Sequence, residues 1–143
     1  MVIHFVCEGN NYRSRLSETY VNSLQIPNIR AISSGIIANQ NGAGIISWYA
    51  QRIIQKNYLI NFEKQNWTQA SKNNLKKGDL TIFMTKPIYE FCVRNYGFSG
   101  KKFEIWNIED VNVQMSEPEK IKVTEETYKE IGKKNSKKLK DLR

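Results

Sequence analysis

Four short apolar runs with helically spaced stretches between them set the frame for this chain. Residues 2–6 form the first run, and 29–33 the second, introduced by Pro27. The third, 80–84, follows Gly78-Asp79, and the fourth, 102–106, follows Gly100. Runs of this length bounded by turn residues fit strands buried on both faces. Within 14–24, Leu16, Tyr20, Val21 and Leu24 recur at helical spacing, and within 45–54 Ile46, Tyr49, Ile53 and Ile54 do the same. Pro87 suits the first turn of a helix carrying Ile88, Phe91, Cys92 and Tyr96. Pro118 opens a long final helix with Ile121, Tyr128, Ile131 and Leu139 as its sparse inner face. Strands alternating with helices predict an α/β fold, a four-stranded parallel sheet flanked by helices on both faces. With 143 residues and no repeat, low-complexity tract or linker, one domain over 1–143 is expected, ending in a basic helix or tail at about 119–143.

Composition narrows the class. At 40% hydrophobic and 25% charged residues the chain reads as globular, and no apolar run approaches the ~18 residues of a membrane span. The N-terminus has neither a basic lead-in nor a small-residue cleavage site, so a cytoplasmic location is expected. Two cysteines are too few for a disulfide scaffold. One histidine, His4, and two distant cysteines make no convincing metal ligand set, and no cofactor is expected. The net charge of +8 favours anionic partners, but the basic run of Lys133, Lys134, Lys137, Lys138, Lys140 and Arg143 lacks interleaved aromatics. A solvated helix face is the expected reading, and a nucleic-acid partner is not.

In parallel sheets of this kind, ligands bind outside the carboxyl ends of the strands. The first such end reads Cys7-Glu8-Gly9-Asn10-Asn11-Tyr12-Arg13-Ser14. Gly9 and Asn10 tolerate unusual backbone angles, so the loop can curl its N–H groups inward. A nest of amides at a helix N-terminus binds anions and stabilises a thiolate, the competent nucleophile. Arg13 can clamp two phosphoryl oxygens with its planar fork. Ser14 is placed to hold the sulfur.

This loop, followed by Glu18 in the first helix, resembles the signature of the low-molecular-weight protein tyrosine phosphatases. Ile32-Ser33-Ser34-Gly35 falls where that family carries a serine-rich, glycine-ended motif, and 79–84 is similar to its third strand. The resemblance implies a Rossmann-like sheet and a cysteine-dependent phosphomonoester hydrolase working through a phosphocysteine. It implies Cys7 as nucleophile and Arg13 as phosphate clamp. The amides of Glu8, Gly9, Asn10, Asn11, Tyr12 and Arg13 would bind phosphate, and Asn10, Ser14 and Ser33 would support the loop. The family's general acid is an aspartate after the last strand, where Asp110 falls in register and Glu109 is its close rival. The substrates implied are a phosphorylated protein or a small aryl phosphate, with phosphate and other oxyanions as ligands.

The pattern also has gaps. Arg15 stands where the family has proline, and Val111 stands where proline follows the acid. The aromatic walls that would flank a phenyl ring are replaced by Asn112 and Val113 on one side and by Asn39 or Gln40 on the other, unless Trp48, Trp67 or Trp106 substitutes. Tyr12 takes the place of a second loop cysteine. Glu8 sets a carboxylate beside the loop, facing solvent or selecting a cationic substrate group. Three functions fit these residues: a phosphatase, a thiol-dependent arsenate reductase with Cys92 as its sole further thiol, and a phosphate or phosphopeptide binder without turnover.

Overall fold

The computed structural model describes residues 1–40, 44–112 and 114–142. Four parallel strands, β1 (Val2–Cys7), β2 (Arg30–Gly35), β3 (Leu80–Phe83) and β4 (Phe103–Ile105), lie in the order β2-β1-β3-β4. The helices are α1 (Arg13–Ser23), α2 (Trp48–Lys56), the single turn α3 (Lys72–Leu75), α4 (Lys86–Tyr96) and α5 (Glu117–Leu142). The predicted four-stranded parallel sheet with flanking helices is thus the fold. Boundaries moved by one to three residues, most at α2, which starts at Trp48 because Ser47 caps it by accepting from the Ala50 N–H.

Alternation along the strands explains the layers. Phe5 pairs in register with Ile82 and meets Trp106 edge-on at 5.7 Å, and Lys134 of α5 lies over the same indole. Phe83 is next along the strand and therefore points to the opposite face, where Tyr89 of α4 and Phe98 pack on it. Val6, its register partner, shares that side. With apolar side chains buried on both faces, the central strands form the core.

The inner face of α5 differs from the expected one. Ile131 and Leu139 are buried as read from sequence, but Thr124, Thr127 and Asn135 take the remaining inward positions, while Ile121 and Tyr128 are only half-buried. Thr124 satisfies its hydroxyl on the Lys120 carbonyl of its own helix, which lets a polar side chain sit inside. The basic end of this helix is partly engaged: Lys138 pairs with Glu104 of β4.

The strand order places β1 between a neighbour reached by α1 on one side and one reached by the later helices on the other. The crevice at its carboxyl end is the switch point of the sheet. Cys7 is the last residue of β1 and pairs with Gly35, the last of β2. A side chain at Gly35 would meet the Glu8 carbonyl oxygen at 2.3 Å and the Asn10 nitrogen at 2.6 Å, so only glycine lets the loop after β1 cross there. Gly35→Ala is expected to cost about 1–3 kcal/mol of stability, as overpacked sites do, and to weaken phosphate binding; denaturant melts with and without phosphate read both.

His4 is buried in β1 with Nε2 2.8 Å from the Ser34 hydroxyl. Burial first, then nearby Lys64, pushes its pKa from 6.5 down to about 3. The unfolded chain therefore binds the proton that the folded one refuses. His4 contributes stability fully present above pH 6.5 and lost as pH falls toward 3, at about 1.4 kcal/mol per unit. A His4→Gln variant should show a flatter fall in melting temperature across that window.

Candidate active site

The segment from Cys7 to Arg13 closes as a loop over the start of α1. Tyr12 occupies the N-cap position and offers no side-chain cap, and the first turn carries no acid. The helix's leading amides and its positive dipole end are thus left for an external anion. Asn10 has φ +52°, a left-handed conformation that its short polar side chain tolerates.

The predicted residues converge on this point. The Cys7 sulfur is 2.8 Å from the Ser14 hydroxyl and accepts from the Asn10 N–H at 3.3 Å. The Asn10 amide donates to Ser14 and to Ser33, each at 2.8 Å, so the three supporting residues form one cluster. All four side chains are buried. Ser33 in turn donates to Glu18 Oε2 at 3.1 Å, and burial raises the pKa of that carboxyl. Glu8 is exposed and Gly9 half-exposed, whereas Tyr12 is buried, with burial pushing its phenol up to about 12.

Arg13 is 2% exposed and donates to the Ile108 carbonyl at 2.8 Å, tying α1 to the segment after β4. Its other terminal nitrogen is 3.6 Å from Asp110 Oδ2. Asp110 is half-exposed, and its Oδ1 accepts from the Val111 N–H at 2.8 Å, which steadies a carboxylate at the rim without burying it. Glu109, also exposed, makes no ion pair with Arg13 among the described contacts. The geometry therefore brings Asp110, not Glu109, to the guanidinium.

A cleft of about 210 Å³ opens at this rim, lined by Asn11, Tyr12, Ser47, Tyr49, Asp110, Val111 and Lys120. Its aromatic lining is Tyr12, at the end of the loop, and Tyr49, from the first turn of α2. The Tyr49 hydroxyl donates to Glu117 Oε2 at 2.6 Å, and Trp48 packs edge-on against its ring at 5.0 Å. The three tryptophans considered from sequence do not line the cleft: Trp106 is core, Trp48 is 59% exposed and Trp67 is half-buried elsewhere. Asn39, Gln40 and Asn112 are exposed, and Val113 lies outside the described residues.

Sequence reasoning missed three residues behind the loop. Arg15, read only as a departure from a pattern, is 1% exposed and donates to the Asn10, Ile45 and Lys64 carbonyls. Lys64 donates to the Ser33 carbonyl and the Thr68 hydroxyl, and the Thr68 N–H donates to Asn10 Oδ1. Arginine is normally a surface residue, and positions 64 and 68 carry no local signal. The one hint was Arg15 itself, a second arginine in the first turn of a helix whose other residues pack inward.

Cys92 is fully buried in α4, and burial pushes its thiol up to about 12. Both cysteines are free. Among the described residues there is no cluster of ligating side chains that would hold a metal.

The structure resembles several solved proteins. The low molecular weight protein tyrosine phosphatase SP-PTP of Streptococcus pyogenes superposes with a TM-score of 0.76 at 20% identity, covering 99% of this chain and 93% of that one. Vibrio vulnificus Wzb, solved with benzylphosphonate, gives 0.75 at 19%, covering 95% and 97%. A C7S mutant of the arginine phosphatase YwlE, with a phosphorylated active-site serine, gives 0.73 at 18%, covering 100% and 98%. No curated protein sequence matches the chain. The sequence model described as low molecular weight phosphotyrosine protein phosphatase matches residues 2–142. The chain belongs to that family and is a cysteine-dependent phosphatase.

Proposed function

We propose that the Cys7 thiolate attacks a phosphate monoester bound in the 7–14 loop and passes through a phosphocysteine. The observation that carries this is a pair of contacts at the two ends of one loop. The Cys7 sulfur sits against Ser14, Arg13 lies buried at the first helical turn, and the Asp110 carboxylate is 3.6 Å from that guanidinium at the rim. The phosphorylated serine that YwlE carries in its C7S form supports a covalent role for the equivalent atom here.

In the first step an S–P bond forms and the ester P–O bond breaks, with Asp110 supplying the proton to the leaving oxygen. In the second, Asp110 takes a proton from water, the water oxygen attacks phosphorus, and the S–P bond returns its electrons to the sulfur. Loop amides and Arg13 hold the equatorial oxygens, where charge accumulates. The Ser14 hydroxyl stabilises the departing thiolate. A phosphate drawn to Arg13 competes with Asp110 for the same guanidinium, which frees the carboxyl to face the leaving group.

The arsenate-reductase reading loses its footing in the surroundings of Cys92. A resolving thiol must reach the sulfur it relieves, and Cys92 is sealed in the core with its proton held tightly. For substrate, Tyr49, with the buried Tyr12 beside it, gives the mouth an aromatic surface on which an aryl phosphate or a phosphotyrosine side chain could stack. Lys120 on the same rim favours an acidic neighbour beside the phosphorylated residue. We place the enzyme in the cytoplasm, in keeping with free thiols and the lack of a helix able to cross a membrane among the described residues.

Hydrolysis of an aryl phosphate should be abolished in Cys7→Ser. Asp110→Asn should lower kcat about 10²–10⁴-fold on a poor leaving group and far less on a good one, with Glu109→Gln near wild type. If the two acid variants exchange behaviour, Glu109 is the acid. A panel of phosphotyrosine peptide, phosphoarginine and arsenate sorts the substrate class. Separately, inorganic phosphate at a hundred times its dissociation constant should raise the unfolding free energy by about 2.7 kcal/mol, and much less in Arg13→Ala.

A further inference from the structure

Behind the phosphate loop, on the side away from the cradle, lies a closed circuit of hydrogen bonds. The Arg15 guanidinium donates to the Asn10 carbonyl at 3.2 Å and, through its other terminal nitrogen, to the Lys64 carbonyl at 2.5 Å. A further bond, to the Ile45 carbonyl at 3.1 Å, ties in the segment leading to α2. The Lys64 ammonium continues the circuit to the Thr68 hydroxyl at 2.9 Å and the Ser33 carbonyl at 2.8 Å. The Thr68 N–H closes it on Asn10 Oδ1 at 2.8 Å. Arg15 thus grips the loop directly from the buried side, where a charge needs good hydrogen bonds, and the half-buried Lys64 holds the Ser33 and Thr68 that brace it.

The consequence is stereochemical. The peptide joining Asn10 to Asn11 is trans, so its carbonyl and its N–H point in opposite directions. With the Asn10 carbonyl drawn back by Arg15, the Asn11 N–H is turned forward. Asn10 is also the loop residue with φ +52°, held in the left-handed region. We propose that Arg15 and Lys64 are positioning residues of the phosphatase: they lock the Asn10–Asn11 peptide in the orientation that presents its N–H to the phosphoryl group. Neither touches substrate. The proposal rests on the hydrolase reading only for its kinetic test, because oxyanion binding reports the same peptide without turnover.

The buried carboxyl of Glu18 and the half-buried one of Glu63 accompany this layer, so it adds little net charge to the site. Its charges act on Cys7 as well, and the bond to the Asn10 carbonyl adds orientation to that attraction. That distinguishes it from Arg13, whose charge meets the ligand directly, and it separates the outcomes of substitution.

The test compares wild type with Arg15→Gln, Arg15→Lys and Lys64→Met in two assays. One is steady-state hydrolysis of an aryl phosphate with inorganic phosphate as inhibitor. The other is protection of Cys7 by inorganic phosphate against iodoacetate, mapped by peptide mass so that Cys92 does not count. Arg15→Gln and Lys64→Met should weaken phosphate inhibition and protection about tenfold. They should lower kcat by about tenfold or more, in the range seen when a preorganised oxyanion donor is lost. Arg15→Lys, which can still reach a carbonyl, should recover part of both. Folding is checked by melting temperature; if Arg15→Gln does not fold, Arg15→Lys and Lys64→Met carry the comparison. Folded variants with lowered melting temperatures but wild-type kcat, phosphate inhibition and protection would overturn the proposal, since a merely structural role predicts that result. If wild type hydrolyses no ester, yet phosphate protects its Cys7 and the variants lose that protection, the positioning role stands and the hydrolase reading falls.

Discussion

Asn10 spends every polar atom it has. Its N–H reaches the Cys7 sulfur, its carbonyl accepts from Arg15, its side-chain oxygen accepts from Thr68, and its amide nitrogen donates to Ser14 and Ser33. Five partners from four separate stretches of chain meet on one buried residue in a left-handed conformation. A fully satisfied buried polar group of this kind specifies a single arrangement, because any rearrangement strands a donor or acceptor away from water. The curl of the loop, the position of the sulfur and the direction of the amides all follow from it.

Around that point the protein separates two electrostatic tasks. On the proposed reading the uncapped helix start and Arg13 receive the anion, while Arg15 and Lys64 set backbone direction. Asp110 links the halves by touching Arg13 from the rim while staying wet enough to exchange protons. Catalysis by preorganised dipoles needs this division, since donors free to reorient would lose much of their advantage over water.

Much of this was legible in the residues. The four apolar runs gave the sheet, because strands buried on both faces cannot hide their composition. The stretch from Cys7 to Ser14 was readable as a strand end, a loop and a helix start, because these are local in sequence. What lay beyond reach was tertiary. Whether Arg15 points out or in depends on the carbonyls of residues 45 and 64, which distant stretches of chain bring to it. The mouth was misjudged for a similar reason. Counting aromatics at expected positions found none, yet α2 delivers Tyr49 from a different direction and Glu117 of α5 holds it there. The polar inward face of α5 escaped because Thr124 satisfies itself on its own helix, which a pattern of apolar residues cannot register.

The bond from Arg13 to the Ile108 carbonyl spans 95 positions of chain. Together with the links from residue 10 to 33 and 68, it means that the loop cannot reach its final geometry until β2 and β3 have docked against β1 and β4 against β3. Local helices form early in a chain of this type, whereas contacts of such separation wait for most of the entropy of ordering to be surrendered. The 7–14 loop is therefore expected to reach its final geometry late in refolding. The active pole serves as its own topological checkpoint: a misthreaded or partly assembled sheet has a cysteine and an arginine but no cradle between them.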